Sequence, residues 1–97
     1  MRTNVKDRWT AFEVEEFPPA CLGRTVNGML YEQVDAVAAG CISTFLKRGE
    51  LDGECRALLD AALIKLEIMA GAVEESHKPY FTRLLEIARD TRRAAGD

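Results

Sequence analysis

The chain has 97 residues and a net charge of −3, with 47% hydrophobic and 30% charged residues. This length gives one domain with one modest core, and it excludes a large enzyme. The hydrophobic share is too high for a disordered chain, and no apolar run approaches the roughly 18 residues that a membrane span needs. The first residues lack the apolar stretch of a secretory signal. We therefore expect a cytoplasmic protein.

The N-terminal segment, residues 1–24, has a mixed pattern. Val5 and Trp9 have helical spacing, whereas the stretch after Ala11 alternates as a strand does. We expect a short helix or an extended arm that ends at a pair of prolines. The large apolar side chains of this arm are expected to pack across the helices that follow, and they are Trp9, Phe12, Phe17 and Leu22.

The first long helix is predicted over about residues 25–48. Apolar side chains recur there at helical spacing, at Val26, Leu30, Val34, Val37, Cys41 and Phe45. Basic residues in the last turn suit the negative end of the helix dipole, and Gly49 favours a left-handed stop. The start is open between Thr25 and Asn27, since Gly28 is unfavourable inside a helix.

The second helix is predicted over about residues 52–70, with Asp52 as N-cap and Glu54 in the first turn. Its main apolar stripe consists of Cys55, Leu58, Leu59, Ala62, Leu63, Leu66 and Met69. A second stripe, on another face, consists of Ala57, Ala61, Ile64, Ile68 and Ala72. A helix that is apolar on nearly all sides packs on more than one side. It is predicted to be either the central helix of the bundle or part of a subunit interface.

The third helix is predicted over about residues 77–95, with Pro79 in its first turn and Ser76 or a neighbour as its cap. Its predicted buried face consists of Tyr80, Phe81, Leu84, Leu85, Ile87 and Ala88. Short connections between such helices imply antiparallel neighbours. The sequence therefore predicts an all-α fold, a small antiparallel three- or four-helix bundle with an N-terminal arm packed across it.

The inventory of reactive side chains is small. Three cysteines without a C-x-x-C pair and one histidine give neither a disulfide framework nor a zinc site, so we expect no metal and no cofactor. Cys41 and Cys55 lie on apolar stripes and are expected to fill the core. Cys21, in a predicted loop, is the better candidate for an accessible thiol, and His77 is interpreted as a loop or cap residue. We find no catalytic motif and predict no catalytic residue.

Charge is distributed unevenly along the chain. Residues 50–75 contain seven acidic and two basic residues, a net charge of −5, and residues 78–93 contain five basic and two acidic residues, a net charge of +3. An acidic surface suits a cationic protein partner, and it makes nucleic-acid binding unlikely. The leading hypothesis is a non-catalytic protein-binding module. Its candidate contact residues are Glu50, Asp52, Glu54, Asp60 and Glu67.

Two other interpretations are kept open. In the first, the protein is a homodimer with a structural or regulatory role, and the second stripe pairs across a two-fold axis. The candidate interface residues are Ala57, Ala61, Ile64 and Ile68. In the second, the protein is a small helical enzyme or ligand carrier that uses Arg24, Tyr31 and Arg56 in a dimer cleft.

The segment from about Ile42 to Arg89 resembles the small all-α immunity proteins of bacterial toxin systems. The resemblance rests on a helix followed by Gly49-Glu50, a leucine-rich helix, and a third helix that opens after a polar loop. Proteins of that family neutralise a cognate toxin by binding it tightly, without catalysis. The resemblance therefore implies an inhibitory partner-binding function, and it assigns no individual binding residue.

Overall fold

A computed structural model describes residues 5–96, so residues 1–4 of the predicted arm and residue 97 lie outside the described part. Four α-helices account for most of this range: α1 (Val5–Glu13), α2 (Tyr31–Arg48), α3 (Gly53–Ala72) and α4 (Lys78–Ala95). Two short antiparallel strands, β1 (Thr25–Val26) and β2 (Met29–Leu30), precede α2. Single 3₁₀ turns lie at Pro19–Cys21 and Glu75–His77. The predicted all-α bundle with an N-terminal arm packed on it is confirmed.

The first long helix begins at Tyr31, six residues later than the predicted start near residue 25. The intervening residues form a hairpin in which Val26 pairs with Met29. Asn27 and Gly28 occupy the turn with φ of 50° and 77°. Positive φ at both positions is the geometry that an Asn-Gly two-residue hairpin turn requires, and it cannot continue a right-handed helix. Val26 and Leu30 are four residues apart, which is helical spacing, but both lie in the strands of the hairpin. The predicted helix start is wrong for this reason.

Helix α3 begins and α2 ends as the sequence predicts. The side chain of Asp52 accepts a hydrogen bond from the Cys55 N–H at 2.8 Å, which identifies it as the N-cap. Gly49 terminates α2 in the left-handed conformation. At α4, Pro79 lies in the first turn as predicted. The N-cap position is occupied by His77, the neighbour of Ser76, and the His77 side chain makes no capping hydrogen bond.

Helix α4 is the central helix, because it contacts α1, α2 and α3. Its six predicted core residues are all buried, and Phe81 and Leu84 are completely inaccessible. Of the two alternatives for the second long helix, the central position belongs to α4, which also contacts the arm, and the place of α3 in a subunit interface stays a prediction. Helix α3 packs against α2 and α4 with one face only, which contains Leu59, Leu66 and Met69.

The N-terminal arm closes the other side of α4. Trp9 stacks on Phe12 with ring centroids 5.7 Å apart, and Phe12 contacts Tyr80 at 4.8 Å. Phe17 meets Phe81 edge to face. Leu22 does not join this cluster: the chain turns at Gly23, and 60% of the Leu22 surface remains exposed. The prediction that Leu22 packs with the arm was wrong.

Candidate functional site

The outer face of α3 carries an exposed apolar stripe. We call Ala57, Ala61, Ile64 and Ile68 the outer stripe; all four are exposed. Ile64 and Ile68 retain 66% and 38% of their accessible surface. Residues two positions apart in an α-helix point to nearly opposite sides, so Ile64 and Ile68 face away from the buried Leu66. The exposed surfaces of these side chains point away from the core.

A groove of about 300 Å³ continues this apolar surface sideways between the hairpin, α2 and α3. Its lining includes Val37 and Leu58, which are 39% and 47% exposed, and Lys65 stands at its edge. Leu58 belongs to the predicted main stripe of the second helix, yet it lies at the edge of the packed face and remains open. The exposed apolar surface therefore extends from α3 towards α2.

The five candidate acidic residues do not form one continuous patch. Asp52 is committed to the cap of α3, where the hydrogen bond from Cys55 lowers its pKa. Asp60 accepts a hydrogen bond from Arg92 Nε at 2.7 Å, and Glu67 lies 3.5 Å from Arg89.

Glu50 and Glu54 are the two remaining acids of that set. Both are exposed at the corner between α2 and α3, and within residues 5–96 neither forms an ion pair or a hydrogen bond through its side chain. In contrast, Asp60 and Glu67 lie on the edge of α3 that faces α4, where arginines of α4 neutralise their charges. An unpaired acidic surface remains at the start of α3.

A second groove, of about 250 Å³, lies at the C-terminal end of α3. Arg24 and Tyr31 both line it, as the ligand-carrier interpretation requires, and so do Cys21, Glu74 and His77. All of these lining residues belong to one chain. Arg56 is not part of it, since its guanidinium donates to the Leu51 carbonyl at 2.9 Å.

The groove does not hold an activated nucleophile. Cys21, the better candidate of the three for an accessible thiol, is buried. Burial raises the pKa of this thiol, and the opposing effect of Arg24 is smaller. Burial also raises the pKa of the Tyr31 phenol. A neutral thiol and a neutral phenol can bind a ligand by hydrogen bonds, but they do not attack it at neutral pH.

Asp35 and Tyr80 form a polar pair that sequence reasoning missed. The Tyr80 hydroxyl donates to Asp35 Oδ2 at 2.6 Å, next to the aromatic cluster of α4 and the arm. Burial raises the pKa of the Asp35 carboxyl, and the hydrogen bond from Tyr80 partly offsets this effect. No local motif marks the pair, because its members are 45 residues apart.

Within residues 5–96, no group of three or more His, Cys, Asp or Glu side chains is placed to hold a metal ion. Over the same range, no helix is both long and apolar enough to cross a membrane. The chain matches no family model, and comparison with curated proteins and with solved structures gives no match. The similarity to immunity proteins thus stays a prediction.

Proposed function

We propose that this protein is a non-catalytic protein-binding module whose binding surface includes the outer stripe of α3. The exposure of Ile64 and Ile68 is the observation that supports it. Burying a completely exposed isoleucine contributes about 1.5–3 kcal/mol, and Ile64 and Ile68, with 66% and 38% of their surface still open, can each contribute part of that energy to a complex. Together on one face, and continued by Leu58 and Val37, they give a partner protein an apolar centre with a charged rim.

The acidic residues at the start of α3 define the preferred charge of a foreign partner. Glu50 and Glu54 lie at one end of the outer stripe and are free to meet basic side chains. A cationic protein is therefore the foreign partner that this surface favours, in agreement with an immunity or inhibitor role in a bacterial cell. We also propose a cytoplasmic location, because Cys21, Cys41 and Cys55 are all free thiols.

The test compares Ile64→Glu with Val14→Glu as a matched control. Val14 is 84% exposed, but it lies on the N-terminal arm, away from α3. We expect Ile64→Glu to weaken association by at least about tenfold, measured by light scattering and by capture from lysate with the tagged chain, and Val14→Glu to leave it unchanged. Circular dichroism checks that both variants fold. Association that is as strong in Ile64→Glu as in wild type, or wild-type protein that binds neither itself nor another protein, contradicts the proposal.

A small-ligand carrier is the second candidate. The convergence of Arg24 and Tyr31 on one groove favours it, because a guanidinium and a phenol can together bind an anionic or polar ligand. A thermal shift produced by small carboxylates and lost in Arg24→Ala would support it. The same shift in wild type and Arg24→Ala would count against it.

A further inference from the structure

We propose that the outer stripe binds a second copy of the same chain, with the two α3 helices antiparallel about a two-fold axis. This inference rests on the proposed function, since it names the partner of the same surface. The axis passes midway between Ala61 and Ile64, at the centre of the stripe. The argument for a second copy comes from the order of residue sizes along α3 and from the charges along its edges.

The outer stripe has the spacing of a short helix–helix seam. Its four residues are separated by intervals of four, three and four, which is the repeat that keeps one face of a helix against another helix. The two alanines come first and the two isoleucines follow. One end of the seam is therefore narrow and the other end is wide.

An antiparallel arrangement pairs the narrow end with the wide end. Ala61 then lies opposite the partner's Ile64, and Ala57 lies opposite the partner's Ile68. Alternation of large and small residues across a contact lets the layers interdigitate, and the two-fold axis repeats every pair. A parallel arrangement instead places isoleucine against isoleucine and alanine against alanine, so the helices would separate at one end.

On the edge of the seam towards α4, the acidic side chains already have basic partners in the monomer. A two-fold axis perpendicular to the helices brings the same edge of both copies together, so Asp60 lies near the partner's Glu67. Each of these acids has its own arginine in the monomer, Arg92 for Asp60 and Arg89 for Glu67. Asp60 is still 53% exposed as a side chain and Glu67 71%. Both carboxylates can therefore accept further hydrogen bonds from the partner's arginines.

The opposite edge of the seam carries Leu58 and Lys65, with Glu54 at its end. Leu58 lies there opposite the partner's Lys65, whose aliphatic stem can cover the exposed leucine while its ammonium group stays in water. Asp60 and Glu67 thus keep their own arginines in this contact, and Lys65 keeps its ammonium group in water.

The size of the contact predicts a reversible dimer. A helix of 20 residues is about 30 Å long and about 10 Å wide, so α3 alone offers roughly 300 Å² per copy. Stable interfaces bury about 800 Å² per partner. The edges near α2 and α4 add area to that of α3, but we expect a dimer fraction that rises with protein concentration.

The first experiment measures mass against concentration by sedimentation or light scattering. We expect the wild-type mass to rise from the monomer value of 10.8 kDa towards twice that value. Ile64→Glu is expected to weaken self-association by at least about tenfold, and Val14→Glu to leave it unchanged. A wild-type mass that stays monomeric overturns the dimer. If such a monomer still captures a foreign protein in an Ile64-dependent way, the proposed function holds and this inference fails.

The second experiment tests the antiparallel order by disulfide cross-linking in a Cys55→Ser background. Ala57→Cys chains mixed with Ile68→Cys chains are expected to form a mixed disulfide. Ala57→Cys chains alone are expected to form none, because antiparallel helices place the two copies of this residue about 16 Å apart, beyond the roughly 7 Å limit between Cα atoms. Efficient cross-linking of Ala57→Cys chains alone, without the mixed disulfide, overturns the antiparallel arrangement.

Discussion

At the scale of single residues, the Asp35 and Tyr80 pair couples a titratable group to the packing of the core. The pKa of Asp35 is raised in the folded chain above its ordinary value of 3.8 because the carboxyl is partly buried. The folded chain thus retains a proton where the unfolded chain has lost it. The stability that this proton contributes is fully present below pH 3.8 and is lost as pH rises through the folded pKa.

We therefore expect Asp35→Asn to be at least as stable as wild type at pH 7. An asparagine oxygen can still accept the Tyr80 hydrogen bond, and it carries no charge that burial disfavours. Wild type is expected to lose stability relative to this variant as pH rises from 3.8, measured by urea unfolding at a series of pH values. Tyr80→Phe is the contrasting variant. It strands the carboxylate and should cost about 1–3 kcal/mol. Asp35→Asn that is clearly less stable than wild type at pH 7 contradicts this account.

At the scale of elements, the hairpin turn before α2 allows a direct test of backbone geometry. Gly28 has φ of +77°, whereas Gly40 lies inside α2, and an added Cβ would meet nothing within 4 Å at either position. Gly28→Ala is expected to cost about 1 kcal/mol because alanine is strained at positive φ. Gly40→Ala is expected to add about 1 kcal/mol because glycine is a poor helix former.

Denaturant unfolding of the two glycine variants measures both changes, and opposite signs are the expected result. Two changes of the same sign would show that local packing, and not backbone conformation, controls these positions.

The boundaries of the elements show where sequence reasoning succeeds. Asp52 and Gly49 mark the start of α3 and the end of α2 because capping chemistry is local to a few residues. The predicted start of α2 is wrong because Val26 and Leu30 satisfy helical spacing by coincidence, whereas the Asn-Gly pair between them is a hairpin-turn signal. This signal was present in the sequence and could have corrected the prediction.

The candidate surfaces were harder to predict because they depend on which helix is central. The two stripes of α3 are visible in the sequence, but their periodicity alone does not reveal which one is buried. Leu58 and Leu59 are adjacent leucines of the predicted main stripe, yet the first is open and the second is buried. The pairing of Asp60 with Arg92 was equally hidden, since it joins residues 32 positions apart.

At the scale of the whole molecule, folding brings the acidic and basic parts of the chain into contact. Arg89 and Arg92 of α4 meet acids of α3, and Arg83 of α4 pairs with Glu15 on the arm. The acidic and basic parts of the sequence therefore form ion pairs across the surfaces of α4. Each exposed pair contributes about 0–1 kcal/mol, so the apolar contacts of α4 supply most of its attachment to the neighbouring helices.

The attachment of the N-terminal arm decides whether the molecule unfolds as one unit. Trp9, the single tryptophan, is buried on the arm, stacks on Phe12 and lies next to Arg8, which pairs with Asp90 of α4. Tryptophan fluorescence thus reports on the docking of the arm, and far-ultraviolet circular dichroism reports on all the helices. We expect the two urea transitions to coincide in wild type, because loss of the arm would expose the aromatic face of α4.

Phe12→Ala should separate those transitions. It removes the ring that contacts both Trp9 and Tyr80. The free energy of unfolding should fall by about 3–5 kcal/mol, and the lost contact is the one between the arm and α4. We expect the fluorescence transition of the variant to shift to lower urea than the transition in circular dichroism. Separate transitions already in wild type would show instead that the arm docks on a bundle that is stable without it. In that case α4 would be held mainly by α2 and α3.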